Sequence, residues 1–461
     1  MKVGMLSGVI NNLCRLLLIS GGMMLAVNAA YATADATQDK AEMASLLNAY
    51  HQVHGFSGTV KVVRDEETVF EQSIGLADRS FDIAMTPSTR NSINSISKTF
   101  TGVAVLMLVR DNKLELDKPV GLYLPYLTAT WRDEVTIHHL LTHTSGLPRE
   151  SGIQWYQELT LQEQARELVD KQALQFSPGE QYAYSNSGVT LLGAVLEAVS
   201  GMDYADVITQ QIITPLKLTN TGVYRGRAVV ANQAVPYRLT PTGLTHAQRT
   251  KHLGVNAGGG LYSTADDLYR FMVALQEHTL LPAALTDKLF APHIQSGEGE
   301  YEGYLWSIKT FGDERLYFSA GSGYGTKSVM IRSPERGDFI AITSNWGNTP
   351  ILPMLRDVFL LSKGQPVDLP QRTHLADPST FTADFGSYTF EPGQLKKHLG
   401  ADSDTVTLHE FDGRLFMNEE LLAAKSNRTL GLTYTDEVSI RVGKGHMQIV
   451  INGISLEGVR R

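Results

Sequence analysis

With 461 residues, 43% of them hydrophobic and 19% charged, the chain has the composition of an ordinary folded protein and is too long for one compact core. Its formal charge of −8 comes from intermixed signs, which argues against nucleic acid or an anionic membrane surface as partner. A single cysteine, Cys14, excludes an internal disulfide framework.

The first segment reads as a secretory signal over residues 1–32. Lys2 and Arg15 precede the apolar stretch LLLISGGMMLAVNAA, and Ala30-Tyr31-Ala32 supplies a small-x-small cleavage pattern. Cleavage after Ala32 removes two positive charges and Cys14, leaving a thiol-free chain at −10 that suits an oxidising compartment, expected to be the periplasm. Arg15 follows Cys14 in place of a lipid-attachment context. A retained anchor is the alternative, with an apolar core of about 15 residues that is short for a span.

Next, Met43, Leu46, Leu47 and Tyr50 fall at i, i+3, i+4 and i+7, the stripe of an amphipathic helix. GTVKVVRDEETVFEQSIG predicts a hairpin around Asp65-Glu66-Glu67. From Thr99 to Val109 the chain is apolar on almost every side, which predicts a helix buried all round with Ser95 at its entrance. Residues from about 112 to 250 carry helical patterns such as LQEQARELVDKQAL and GVTLLGAVLEAVSG, the latter stopped by Gly201. The β-rich runs RLYFSA, TKSVMIRS and FIAITSN follow, then the helical pattern PILPMLRDVFLLSKG. A proline-rich linker lies near 364–380. Beyond it, turns at Asp412-Gly413, Gly443-Lys444-Gly445 and Asn452-Gly453 predict a small antiparallel sheet or barrel. The expected architecture is therefore α+β: an antiparallel sheet flanked by helices and split by a helical insertion over 33–365, plus a small all-β domain over 366–461.

Two groups of residues could carry chemistry. Ser95 and Lys98 are three apart on one helical face, so the lysine Nζ can approach the serine Oγ, and the helix N-terminus favours negative charge nearby. Such a pair also arises by chance roughly once in a chain this long. Tyr184-Ser185-Asn186 either aims a phenol and a carboxamide into one cleft or packs the ring and caps the next helix. His138, His139 and His143 lack the spacing of a helical zinc pair, so no metal is expected and they read as structural. Gly258-Gly259-Gly260 and Gly323-Tyr324-Gly325 lack the ending of a phosphate loop and read as tight turns.

INSISKTFTGVAVLML, IHHLLTHTSGLP, FSPGEQYAYSNSGVTLLGAVLEAVSG, ITPLKLTNTGVY, AGGGLYSTADDLYRFM and VMIRSPERGDFIAITSN occur in the order seen in serine β-lactamase-like proteins. Over roughly residues 40–360 the chain resembles this group, which includes class C β-lactamases, D-alanyl-D-alanine carboxypeptidases of the penicillin-binding type, D-aminopeptidases and esterases. The resemblance implies a β-lactamase/transpeptidase-like fold and an acyl-enzyme on Ser95. It implies Lys98 as the group that helps deprotonate Ser95, Tyr184 as general base and Asn186 as a substrate ligand. It also implies a third motif at Ser319-Ala320-Gly321, with the backbone N–H groups of Ser95 and Ser322 as oxyanion hole. No cofactor is implied, and the substrate is expected to be a small molecule or peptide.

This sequence departs from the family pattern at Ser319, where Lys or His is usual, and at Asn94, where Gly commonly precedes the serine. Loss of the cation removes a partner for a substrate carboxylate and shifts the expectation toward an ester or peptide lacking one, with Lys327 as a candidate substitute. A catalytically impaired binding or scaffold protein on the same fold is the competing reading.

Overall fold

The computed structural model describes residues 21–461 apart from 151, 155, 248–253, 312–313, 372–375, 400–402, 427, 434–437, 452 and 461. Residues 1–20, most of the expected signal, and Asn452 of the last predicted turn lie outside this set. The larger layer is an antiparallel sheet of eight strands: β1 Gly58–Arg64, β2 Glu67–Ile74, β3 Ile294–Gly297, β4 Glu300–Glu302, β5 Ser307–Phe311, β6 Glu314–Ser322, β7 Lys327–Arg332 and β8 Phe339–Ser344, in the order β3-β4-β5-β6-β7-β8-β1-β2. The N-terminal hairpin thus closes onto β8, and the residues between β2 and β3 are an insertion in the chain between the two edge strands of the sheet. The hairpin turn is one residue tighter than expected: Asp65 (φ 48°) and Glu66 (φ 68°) both take left-handed backbone, as a two-residue turn between twisted strands requires, and Glu67 belongs to β2.

Five longer helices matter to the site: α1 Gly21–His54, α2 Ser97–Arg110, α3 Asn186–Ser200, α4 Ala265–Gln276 and α5 Ile351–Ser362. The predicted stripe of Met43, Leu46, Leu47 and Tyr50 on α1 is buried and packs with α5 and the strand residues Val60, Val62, Val329, Ile331 and Ile342 on one sheet face. The opposite face packs against α2, which is buried from Ser97 to Leu108 and so has no solvent side. Phe100 of α2 stacks on Phe271 of α4 with ring centroids 4.0 Å apart, fixing the central helix against its neighbour. Gly201 ends α3 in the left-handed conformation (φ 71°). LQEQARELVDKQAL is less regular than its pattern: a single α-turn, Leu161–Gln164, widens into a π-turn over Ala165–Val169. Among the described residues, no helix is long and apolar enough to cross a membrane.

The C-terminal segment forms a closed barrel of eight antiparallel strands, from Gly386–Thr389 to Ile454–Arg460. Alternate residues such as Val438, Ile440 and Val442, or Met447 and Ile449, fill its interior. Asp412 (φ 50°) with Gly413 and Lys444 (φ 55°) with Gly445 make the tight hairpin turns that the sequence signals.

Candidate active site

The segment before Ser95 is set by pairing: Asn91 and Ser92 lie against Ser263 and Tyr262, and Ile93 N–H donates to Leu261 O at 3.1 Å. Asn94 then takes a left-handed backbone (φ 47°), which asparagine tolerates better than most residues, and the chain enters a 3₁₀ turn, Asn94–Ile96, that runs into α2. The Asn94 carboxamide is not idle: its Nδ2 donates to Thr326 Oγ1 at 2.9 Å, tying the serine turn to the loop after β6. A Cβ on Gly323 would come within 2.6 Å of Asn94 Oδ1, so this loop sits directly on the asparagine.

Two groups converge on Ser95 Oγ. Lys98 Nζ donates to Ser95 Oγ at 3.1 Å and to the Gly258 carbonyl at 2.6 Å. Tyr184 Oη donates to Ser95 Oγ at 2.9 Å. Lys98 is 3% exposed, and a buried ammonium needs such acceptors. The Gly258 carbonyl is presented by a turn in which Gly260 N–H donates to Asn256 O (2.8 Å) and Gly258 N–H to Asn256 Oδ1 (2.9 Å).

The Tyr184 ring is held by Lys98 Nζ at 4.9 Å and Arg149 Cζ at 4.8 Å from its centroid, and by the His143 ring at 4.6 Å. His143 is buried, and its Nδ1 accepts the Ser185 N–H at 3.2 Å. Burial, with the Lys98 and Arg149 cations nearby, pushes its imidazole down to about 3, so it is a neutral acceptor at neutral pH. Asn186 is the first residue of α3, but Ser185 caps the helix, its Oγ accepting from Gly188 N–H at 3.0 Å. The Asn186 carboxamide donates to Glu150 Oε1 at 3.2 Å, and its N–H donates to Arg149 O at 2.7 Å. Asn186, Glu150 and Arg149 therefore make one polar rim beside Tyr184.

The far wall is the end of β6. Strand β5 pairs with β6 only as far as Ser307 opposite Phe318, so Ser319–Ser322 have an edge free of β5. Gly323 N–H donates to Thr326 O at 2.9 Å, in register with the β6–β7 ladder. Because hydrogen-bonded pairs alternate in an antiparallel ladder, Gly321 and Ser319 bond toward β7, whereas Ala320 and Ser322 turn their N–H and C=O to the open edge. Gly321 itself is required by close approach: a Cβ there would lie 2.1 Å from the Ile93 carbonyl oxygen.

Residues 43–357 match the family described as Beta-lactamase. The chain belongs to this family of serine hydrolases. It is 26% identical over 429 residues to a penicillin-binding protein of Bacillus subtilis (strain 168), covering 87% of this chain and 93% of that one. It is also 26% identical over 243 residues to the teichoic acid D-alanine hydrolase of Staphylococcus aureus, across 53% of this chain and 60% of that protein. Among solved structures, the penicillin binding protein from Bacillus halodurans superposes with a TM-score of 0.62 at 27% identity, over 69% of this chain and 98% of its own.

Against the Beta-lactamase family pattern, position 319 holds no cation: Ser319 is only 8% exposed and shares a sheet face with Gly321. Lys327 does not replace the missing charge. Its neighbour Ser328 points at Ile93, donating from Oγ to the Ile93 carbonyl at 2.8 Å, so Lys327 projects from the opposite face of β7. There its Nζ donates to Ser322 Oγ at 2.6 Å, and burial pushes its pKa down to about 8, opposed by the Glu420 carboxylate of the barrel.

The three histidines do separate work. His139 closes a capping box with Thr136, His138 Nδ1 meets Tyr304 Oη at 2.9 Å, and His143 supports Tyr184. Among the described residues no group of three His, Cys, Asp or Glu side chains could hold a metal ion. Sequence reasoning did not single out the Gly258 carbonyl, Arg149, Glu150 or the role of His143. The glycine run signals a turn at Gly258, but not that Lys98 would meet it.

Proposed function

We propose that this chain is an exported, periplasmic serine hydrolase that cleaves an amide or ester of a small molecule or peptide through an acyl-enzyme on Ser95. In this reading residues 33–365 form the hydrolase unit and 366–461 an accessory domain. The observation that carries it is the convergence of Lys98 Nζ and Tyr184 Oη, from segments far apart in the chain, on one oxygen, Ser95 Oγ.

The roles follow from position. Tyr184, once it has released to solvent the proton it donates to Ser95 Oγ in the resting site, takes the Ser95 proton while the Oγ attacks the substrate carbonyl carbon, and the nearby Lys98 Nζ balances the charge on the phenolic oxygen. Charge developing on the carbonyl oxygen is met by the N–H of Ser95 at the helix entrance and of Ser322 on the open edge of β6. As the bond to the amine or alcohol breaks, Tyr184 returns the proton to the leaving group. The same phenolic oxygen then takes a proton from water as the water attacks the Ser95 ester, and it passes that proton to Ser95 Oγ as the acyl group leaves as a carboxylic acid. Asn186 binds the substrate, with Gly321 allowing the chain of the substrate to lie along β6.

The test is the intact mass of wild-type and Ser95→Ala protein after exposure to a penicillin and, separately, to an activated ester. The expected result is an added acyl mass in wild type alone, with Ser95→Ala turnover reduced by about a thousandfold or more. Equal labelling of both proteins would refute the Ser95 assignment. Ligand binding with neither adduct nor turnover would favour the impaired binding protein suggested by Ser319.

A further inference from the structure

The cation missing from position 319 leaves open how this site would hold an anionic substrate. Among the described residues, Lys98, Lys327 and Arg149 are the cations to weigh around Ser95 and β6. Lys98 is buried and committed to Ser95 and Gly258. Lys327 is on the far face of β7, on Ser322 Oγ. Arg149 differs from both: its side chain is 68% exposed, yet its guanidinium lies 4.8 Å from the centroid of the Tyr184 ring, whose hydroxyl bonds the nucleophile.

A guanidinium placed over an aromatic ring is attracted to the ring face and can still offer its N–H fork to a carboxylate. Among the described residues the ion partner of that fork is a distant one. Glu150 Oε1 approaches Arg149 Nε only to 3.9 Å, and that same oxygen already accepts from Asn186 Nδ2 at 3.2 Å. Arg149 is tied to the substrate side of the cleft through its own carbonyl, which accepts the Asn186 N–H at 2.7 Å.

We infer that Arg149 is the specificity residue of this site and selects substrates carrying a free carboxylate near the scissile bond. The inference rests on the serine-hydrolase reading of the site and reverses the expectation drawn from Ser319 alone. The carboxylate could belong to the acyl portion or to the leaving group, and Arg149 would act on either as a rim cation. Glu150 opposes it by charge while holding Asn186 in place, so the two neighbours set how strongly an anion is preferred.

Binding is measured by calorimetry in the Ser95→Ala background, where no turnover interferes. One ligand pair is an N-acetyl dipeptide ending in carboxylate or carboxamide. The other is a dipeptide amide carrying a succinyl or a butyryl group. At least one pair is expected to favour the carboxylate by about tenfold or more, and that pair identifies the side of the bond involved. Adding Arg149→Ala should bring the ratio close to one, Arg149→Lys should keep part of it, and Glu150→Gln should raise it. Taking the ratio within each variant cancels any general loosening of Tyr184. Equal affinities within both pairs, a ratio unchanged by Arg149→Ala, or no binding of any ligand up to millimolar concentration would overturn the assignment. The hydrolase reading is judged separately, by Ser95-dependent acylation of the wild type.

Discussion

Burial around the cleft shifts titratable side chains in opposite directions, with consequences for stability that can be signed. His143 and His138 are held down to about 3 and about 4, mainly by burial, and His139 and His293 are lowered as well. Each is held below the 6.5 of the unfolded chain, so its contribution is present above that pH and is lost as the pH falls. Glu302 behaves inversely. Burial raises its carboxyl from 4.5 to about 7 despite the Ser307 hydroxyl at 3.0 to 3.1 Å, so its contribution is present below 4.5 and is lost as the pH rises through 7. Between these limits it offsets one histidine. Glu302→Gln should therefore steepen the rise of unfolding free energy with pH, measured by urea titration at pH 5 and pH 6, by about 1 kcal/mol per unit. An unchanged slope would show that Glu302 does not take up a proton on folding in this range.

At the scale of elements, the site depends on how closely the end of β6 approaches the entrance of α2. Gly321 sets that approach, since any Cβ would meet the Ile93 carbonyl and, at 2.6 Å, Ser328 Oγ. A backbone oxygen cannot rotate away as a side chain can, so the strand itself would have to move. Gly321→Ala is expected to lower kcat/KM by about a hundredfold and stability by about 1–3 kcal/mol. A variant with less than a threefold loss of activity would mean that the β6 edge is not aligned with Ser95 by this contact. Asn94 and Thr326 add a second tie across the same junction, which suits a turn that has to hold left-handed backbone beside Ser95.

At the scale of the molecule, the barrel interior is a core separate from those on the two faces of the large sheet. Phe416 and Leu421 of the barrel pack with Tyr237, Leu239 and Trp346, away from the barrel's own interior. Arg238 reaches Glu420 at 2.8 Å and Glu419 at 3.2 Å beside them. These ion pairs are partly exposed and contribute little individually, so the apolar contact should dominate. Phe416, fully buried, is the residue to remove: Phe416→Ala should cost about 3–5 kcal/mol and split a single calorimetric unfolding transition into two. A single transition with unchanged midpoint would show that the units are coupled elsewhere. The same face brings Glu420 toward Lys327 and so toward Ser322 at the end of β6, a route by which the barrel bears on the cleft.

Local pattern was enough to read much of this protein. The all-round apolar run of α2, the stripe of α1, the β-rich runs and the Asp412-Gly413 turn are each encoded within a few neighbouring residues. The Ser95 and Lys98 pair was legible for the same reason, because three residues along a helix is a distance that geometry sets by itself. Tyr184 could be proposed from its loop and family resemblance, but its 2.9 Å approach to Ser95 joins residues 89 apart, and the Gly258 carbonyl meets Lys98 across 160. No periodicity specifies such meetings, which depend on how α2, α3 and the Asn256–Gly260 turn pack. Lys327 makes the point most sharply. Its position in a strand was readable, but which sheet face it takes depends on register against β6, and alternation sends Ser328 to Ile93 and Lys327 to the barrel side. Arg149 has no local signal as a cleft residue at all, since its place on the Tyr184 ring exists only once two distant loops are packed together.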